Sequence, residues 1–289
     1  MDNKSEEISM KEIFDILWSR RLLLAGLALA CGLISVAIAF LLPEKYEATV
    51  LMSPVNEGAD ASKLGSAGAL LSQFGGLAGL GGLNLSGGGR KAESVATLKS
   101  AVLTQAFIAD NNLLPVLFEN KWDSVRQIWE STDAKKIPTL WKGEELFQKK
   151  VLAVSEDRKT GLVTLTVTWK DPAAAAAWAN ELVARANSYL RAKAIEQSNK
   201  NLEYLNDQLS KTNVVELQKA IYGLTETEIK KVMIAKGSDE YAFRVIDPAR
   251  RPERRISPKR PLIVALGVII GLVLGGMLAF ALPQKRVAA

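Results

Sequence analysis

The sequence has no histidine and a single cysteine, Cys31. Without histidine the chain cannot form a histidine-dependent catalytic triad or a metal site built on imidazole. A lone cysteine excludes an intramolecular disulfide, so cysteine usage does not indicate a compartment. No segment has the Walker A form GxxxxGK followed by Ser or Thr, which excludes a P-loop nucleotide site. The sequence therefore predicts no metal and no cofactor, and we expect no nucleic-acid partner.

Acidic residues suited to catalysis are also scarce. The pairs Glu144–Glu145 and Asp239–Glu240 are adjacent in sequence, in amphipathic or loop contexts. A glycosidase needs two carboxylates that face each other across the scissile bond. We therefore predict that the chain is not an enzyme, and a hydrolase is the last of the functions considered.

Two long apolar runs, residues 22–42 and 262–282, contain neither a charge nor a proline. A helix of about 20 residues spans roughly 30 Å, the thickness of the hydrocarbon core of a bilayer. Neither run has the amphipathic period of a buried core helix, and no signal-peptide cleavage site follows the first. The sequence predicts two transmembrane helices that flank an external domain, 43–261, with short tails at 1–21 and 283–289.

Charge alone leaves the orientation of these helices open. Basic residues in both tails favour cytoplasmic termini, but the loop side of the second run is strongly basic as well. Long loops translocate largely regardless of charge, which weakens this conflict. The basic residues are either solvated or in contact with phosphate, from lipid headgroups or from the diphosphate of a lipid-linked glycan. These candidates for phosphate or lipid contact are Arg250, Arg251, Arg254, Arg255, Lys259 and Arg260.

The sequence pattern of the external domain predicts an α+β fold. Alternating patterns predict strands at 45–55, 151–155, 162–169 and 240–252, the last ending at Pro248. Helices are predicted at 93–112 and 139–151, the first with one apolar stripe of Val95, Leu98, Val102, Ala106 and Ala109.

A long helical region is predicted at 172–236. Asp171 is a good N-cap and Pro172 suits the first helical position. Leucine and valine repeats shift phase near 211–213, so the region is either one very long helix or a hairpin. We expect the sequence-distant strands 45–55 and 241–247 to meet near the membrane.

Two glycine-rich segments have no catalytic pattern. Residues 75–89, GGLAGLGGLNLSGGG, lack the fixed spacing and the preceding strand of a phosphate-binding loop. Within the loop 56–90 they are either a flexible, apolar segment facing the inside of an oligomer or plain disorder. In the second apolar run Gly267, Gly271 and Gly275 form GxxxGxxxG, a pattern that lets two helices approach closely. The alternative is that glycine is simply common in spanning helices.

Several motifs resemble those of one family, the Wzz-type chain-length determinants or polysaccharide co-polymerases of bacterial inner membranes. They are the two terminal apolar runs, the junction VTVTWKDPAAAAAWAN, the strand RVIDPA, and RRPERRISPKRP before the second run. The family's proline-rich motif is matched by Pro252, Ser257, Pro258, Lys259 and Pro261. The upstream proline, Pro248, is displaced by one position, and Val273 occupies the position of the family's glycine, between Gly271 and Gly275.

The resemblance implies an inner-membrane protein with a periplasmic domain at 43–261, both termini in the cytoplasm, and no attached tyrosine-kinase domain. It implies a homo-oligomer that acts as a scaffold for the polysaccharide polymerase in the membrane, contacts membrane lipids, and regulates the length of a surface glycan such as the O-antigen of lipopolysaccharide. A lipid-linked glycan is a further candidate partner. The fold expected is a membrane-proximal mixed sheet with long extended helices, flanked by two transmembrane helices.

Two other functions remain open at this stage. The chain could be the membrane activator of a separate tyrosine kinase in capsule or exopolysaccharide export. It could also be a periplasmic sensor, although residues 283–289 are too short for an output module.

Overall fold

The computed structural model describes residue 18 and residues 21–55 and 88–281, and the chain divides into two units. The terminal unit comprises residues 1–46 and 254–289, and the central unit comprises residues 47–253. In chain order the elements are α1 (Arg21–Leu41), β1 (Lys45–Pro54), α2 (Gly88–Leu98), α3 (Ala101–Asp110), α4 (Leu114–Leu117), a 3-10 turn (Glu119–Lys121), β2 (Trp122–Asp123), β3 (Ile128–Trp129), α5 (Leu140–Lys150), β4 (Leu152–Glu156), β5 (Val163–Trp169), α6 (Pro172–Lys211), α7 (Val215–Lys236), β6 (Phe243–Asp247), β7 (Arg255–Ser257) and α8 (Arg260–Ala281).

The terminal unit consists of the two apolar helices and a short ladder. Both α1 and α8 are long and apolar enough to cross a membrane, and most of their large side chains are exposed. The first residues of β1 pair antiparallel with β7, Lys45 opposite Ser257 and Tyr46 opposite Arg255. The helices begin at Arg21 and Arg260, slightly before the predicted runs at 22 and 262.

The central unit is built on a sheet of order β4–β5–β1–β6. Alternate residues of β5, Val163, Leu165 and Val167, are fully buried, while the intervening threonines are partly exposed, as predicted from their alternation. The distant strands β1 and β6 pair antiparallel, with Met52 opposite Val245. The α+β class with long helices is confirmed.

The predicted helix 93–112 is two helices, and its single apolar stripe is wrong. Ser100 breaks the helix by accepting a hydrogen bond from the amide of Leu103 at 3.2 Å, which caps α3. Because the chain starts a new helix there, the buried face shifts to Leu103, Phe107 and Ile108. The residues predicted for the stripe within α3, Val102, Ala106 and Ala109, are exposed.

The long region 172–236 is a helical hairpin, the second of the two predicted alternatives. Asp171 caps α6 by accepting from the amide of Ala173 at 2.9 Å, with Pro172 at its first position. The helix ends at Lys211, and α7 returns along α6 from Val215. Two antiparallel helices bury side chains that one extended helix would leave in water.

The outer edge of β6 is covered by side chains, a feature that the sequence did not indicate. β6 is the last strand of the described sheet, so its outer backbone groups have no neighbouring strand. Asn187 of α6, which is 4% exposed, accepts from the amides of Ala242 and Phe243 at 2.8 Å and donates to the carbonyl of Phe243 at 2.9 Å. These contacts satisfy the backbone groups at the start of this edge, which would otherwise be open to pairing with another chain.

A second asparagine, two helical turns earlier, repeats the contact beyond the strand. Asn180 donates to the carbonyl of Ala249 and accepts from its amide, both at 2.9 Å. The pair therefore holds the chain from residue 242 to residue 249 against α6.

Of the predicted glycine-rich loop, 56–90, residues 56–87 lie outside the described part of the chain. Its last three residues, 88–90, are the first turn of α2. The loop prediction is therefore wrong for those three residues, because the helical pattern of α2 extends back to them.

Candidate functional site

The predicted proline-rich motif is divided between the two units. Pro248 and Pro252 lie in the irregular segment after β6 in the central unit. Ser257 ends β7 in the terminal unit, Pro258 is buried, and Pro261 is the second residue of α8. The motif therefore flanks the short strand β7 and ends in the first turn of α8, where the missing N–H of proline costs no helical hydrogen bond.

Within the terminal unit the carboxylate of Glu44 links the segment that follows α1 to the segment that leads into α8. Glu44, between α1 and β1, accepts from the guanidinium groups of Arg255 at the start of β7 and of Arg260 at the start of α8. The hydrogen bond from Arg255, followed by one from Tyr46, lowers the pKa of Glu44 from its ordinary value. The guanidinium of Arg260 also lies 4.2 Å from the ring centroid of Phe40, a cation–π distance.

These contacts divide the six predicted basic residues into two groups. Arg255 and Arg260 are engaged with Glu44, and Arg250 lies 3.9 Å from Asp247. The other three are exposed and form no ion pair within the described part of the chain: Arg251, Arg254 and Lys259. These three cations have the exposure that contact with an external phosphate requires.

The glycines of α8 lie against α1, which runs antiparallel to it. A Cβ added at Gly271 would lie 2.7 Å from Cα of Ala28, and one at Gly267 would lie 2.3 Å from Oγ of Ser35. At Gly275 it would meet Leu24 at 3.0 Å. Because the backbone of α1 lies this close to Gly271, the approach of α1 and α8 depends on the absence of a side chain there.

Helix α7 carries two seams with heptad spacing, about 100° apart around the helix axis. The inner seam of Ile221, Glu228 and Ala235 faces α6 and is largely buried. The outer seam consists of apolar side chains that are between 45% and 67% exposed: Val215, Tyr222, Ile229 and Met233. The sequence pattern did not identify the outer seam.

The described residues contain no cluster of His, Cys, Asp or Glu that could hold a metal ion. Glu144 and Glu145 lie on α5, whereas Asp239 and Glu240 precede β6, so the two adjacent pairs belong to different elements. Asp239 contacts Arg191 at 2.7 Å, and Glu240 accepts from the amide of Val245 at 3.1 Å. These two acids therefore have structural partners.

Comparison with protein families gives two matches. Residues 6–111 match the model described as Wzz, “Chain length determinant protein”. Residues 206–283 match the model described as GNVR, “G-rich domain on putative tyrosine kinase”, which includes the proline-rich motif and the glycines of α8. The comparison with curated proteins found no match.

Two solved structures illustrate the likeness. One is described as a full-length bacterial polysaccharide co-polymerase, at 10% identity and TM-score 0.42, covering 96% of this chain and 97% of that chain. Another is described as a fragment of WzzB, polysaccharide co-polymerase from Salmonella Typhimurium, at 13% identity and TM-score 0.34, covering 74% of this chain and 100% of that chain. TM-scores this low carry no argument.

Proposed function

We propose that this chain is a member of the Wzz family of chain length determinant proteins and that it regulates the modal length of a bacterial surface polysaccharide. The match of residues 6–111 to the chain-length-determinant model carries this proposal. The glycan is the O-antigen of lipopolysaccharide or a related polymer. The protein acts as an oligomeric scaffold for the polymerase and performs no chemistry of its own.

The outer seam of α7 supports self-association. Val215, Tyr222 and Ile229 are seven residues apart, the spacing at which one helix presents a continuous apolar line to another. Full burial of a large apolar side chain contributes about 1.5–3 kcal/mol, so a second copy seated on this seam would gain several such contributions. Several copies would then present several central units to one polymerase.

The terminal unit supports a two-pass topology in the inner membrane, with the central unit in the periplasm and both termini in the cytoplasm. Its two helices expose most of their leucine and isoleucine side chains, which suits a lipid environment. Arg251, Arg254 and Lys259 are the residues we assign to phosphate groups of lipid or of a lipid-linked glycan. Each basic side chain near an anionic membrane surface contributes about 1 kcal/mol.

The test is the length distribution of the surface polysaccharide with and without the gene. Deletion is expected to broaden or shift the distribution without stopping synthesis, and the intact gene is expected to restore it. A ladder on a gel that is unchanged by deletion would remove the proposal. Reporter fusions within residues 100–240 test the periplasmic position directly.

The match at residues 206–283 favours a second candidate, an activator subunit for a separate tyrosine kinase in capsule or exopolysaccharide export. Under this candidate, deletion lowers tyrosine phosphorylation of a cytoplasmic protein and stops or strongly reduces polymer export. A changed modal length with normal export and phosphorylation would favour the scaffold function. The two candidates therefore differ in measurements made on the same deletion strain.

A further inference from the structure

A cavity of about 400 Å³ lies in the central unit between the β2–β3 hairpin and the start of α5. Its volume falls within the roughly 300–1,000 Å³ of small-ligand sites. Four ammonium groups and one indole dominate the lining, opposed by a single carboxylate. The residues used below are Lys121, Trp129, Glu130, Lys135, Lys136 and Lys142.

The four lysines form no ion pair within the part of the chain that the structure describes. The neighbouring acids have other partners. Asp123 accepts from two amides of the hairpin turn, at 3.0 and 3.1 Å, and lies 3.8 Å from Arg126. Glu119 is paired with Lys170. Positive charge in the cavity is therefore not cancelled by these acids, and an anion entering it would meet several ammonium groups.

The walls of the cavity are held in place. Trp129 pairs with Trp122 across the hairpin, with ring centroids 4.9 Å apart, and the amide of Glu130 donates to the carbonyl of Lys121 at 3.0 Å. In the next loop Asp133 accepts from the amides of Lys135, at 3.0 Å, and Lys136, at 2.9 Å. The lysine backbones are therefore fixed, while their side chains keep the freedom to adapt to a ligand.

The start of α5 adds to the positive potential. Thr139 caps this helix and accepts from the amide of Lys142 at 3.4 Å. The first turn of a helix carries a partial positive charge, which favours an anion beside it. Lys142 stands on this turn and also lines the cavity.

An aromatic wall beside several ammonium groups suits a ligand that is both ring-shaped and acidic. The half-buried indole of Trp129 offers a flat apolar surface for the C–H face of a sugar, and Glu130 accepts hydrogen bonds from hydroxyl groups. Lysine ammonium groups bind carboxylates through charge-assisted hydrogen bonds. We propose that this lysine-lined cavity binds carboxylate-bearing sugar units of an acidic polysaccharide. The proposal rests on the proposed function and names the class of glycan involved.

The test uses the full chain in phosphatidylcholine nanodiscs and calorimetric titration with tetragalacturonate. The fully methyl-esterified tetramer is the matched ligand, because it keeps the size and the rings and removes the charge. The variant is Lys135→Gln with Lys136→Gln. The control is Lys219→Gln with Lys236→Gln, which removes the same charge from two exposed lysines of α7 that lie outside the cavity.

We expect the acid tetramer to bind and the ester to bind at least tenfold more weakly. The cavity variant should raise Kd for the acid about tenfold, as loss of charge contacts from the two exposed lysines Lys135 and Lys136 implies, and the control should leave Kd unchanged. Absence of acid binding, equal binding of the ester, or equal weakening by the control overturns the proposal. Competition by inorganic phosphate at the concentration of the tetramer would make the cavity a general anion site and overturn the sugar assignment.

Two further measurements separate the remaining outcomes. Flotation with phosphatidylglycerol vesicles that depends on Lys135 and Lys136, without tetramer binding, would identify a membrane surface as the occupant and overturn the proposal. The polysaccharide ladder is compared in the deletion strain and in a strain carrying the cavity variant. Specific binding of the acid tetramer together with an unchanged ladder after deletion supports the cavity and refutes the proposed function. A changed ladder without tetramer binding refutes the cavity alone.

Discussion

Asn187 offers the sharpest test of how the central unit is held together. Its side chain makes three hydrogen bonds to the backbone of residues 242 and 243, and the residues at both ends of these bonds are buried. Replacing Asn187 by leucine keeps the approximate volume and removes every one of these bonds. Two amides and one carbonyl then lose their partners in a region that water does not reach.

The expected loss of unfolding free energy follows from the number of buried backbone groups that are left without a hydrogen-bond partner. A buried backbone group without a partner costs about 1–3 kcal/mol. Because one oxygen of Asn187 serves both amides, we take the lower part of the range and expect a loss of roughly 3–5 kcal/mol. For a domain of this size each kcal/mol lowers Tm by about 2–4 °C, so Asn187→Leu should lower Tm by about 10 °C.

The assay is thermal unfolding of the full chain in detergent, followed by circular dichroism and by tryptophan fluorescence, since Trp178 lies in the core of the central unit. Asn213→Leu is the matched control, because Asn213 is exposed in the turn between α6 and α7. Asn187→Asp separates the roles of the two side-chain atoms, since it keeps the acceptor and removes the donor. A shift in Tm below about 2 °C for Asn187→Leu, or an equal shift for Asn213→Leu, would refute the proposed role of this side chain.

The other predictions concern the terminal unit and α7. Gly271→Leu should separate α1 from α8 and lower the unfolding temperature of the protein in detergent, because its side chain would meet the backbone of Ala28, whereas Gly276→Leu faces open space and should have little effect. The hydrogen bond from Arg255 lowers the pKa of Glu44, so its contribution to stability is complete above the ordinary value of 4.5 and is lost as pH falls through the lowered pKa. Hydrogen-exchange protection of residues 255–257 should therefore be lost in the parent protein only once the pH falls below 4.5, be low at every pH in Glu44→Gln, and be unchanged in Glu47→Gln. Tyr222→Glu with Ile229→Glu should reduce the oligomer size measured by native mass spectrometry, whereas Ala220→Glu with Glu216→Gln should not; equal sizes in all variants would exclude the outer seam as an interface.

Features that depend on local chemistry could be predicted from the sequence. Asp171 and Pro172 define the start of α6 because a cap and a first-turn proline act within a few residues of each other. The alternation in β5 indicates its buried face because successive side chains of a strand point to opposite sides. The apolar runs stand out because about 20 residues without a charge match the thickness of the hydrocarbon core of a bilayer.

Features that depend on distant partners could not be predicted. Ser100 is compatible with the interior of a helix, and the partner of the face that α3 buries, Phe147 against Phe107, lies forty residues away in the sequence. In the sequence, Asn187 and Asn180 look like any polar residue on the surface of a helix. Their contacts could not be predicted because the backbone that they bind follows more than fifty residues later. The four lysines of the cavity come from separate turns and one helix end, so no sequence pattern joins them.

The composition of the inner seam of α7 indicates that burial of the outer seam would stabilise the helical hairpin as well as an oligomer. Glu228 occupies the centre of the inner seam, where burial opposes its ionisation, yet hydrogen bonds from Lys231 and Ser198 keep its pKa below the ordinary value. One of its oxygens is buried without a hydrogen-bond partner. A buried charge contributes little net stability. Ile221 and Ala235 are the buried residues of α7, so the hairpin is held by few apolar contacts of its own. Burial of the outer seam against a second copy would stabilise α7 and the oligomer together.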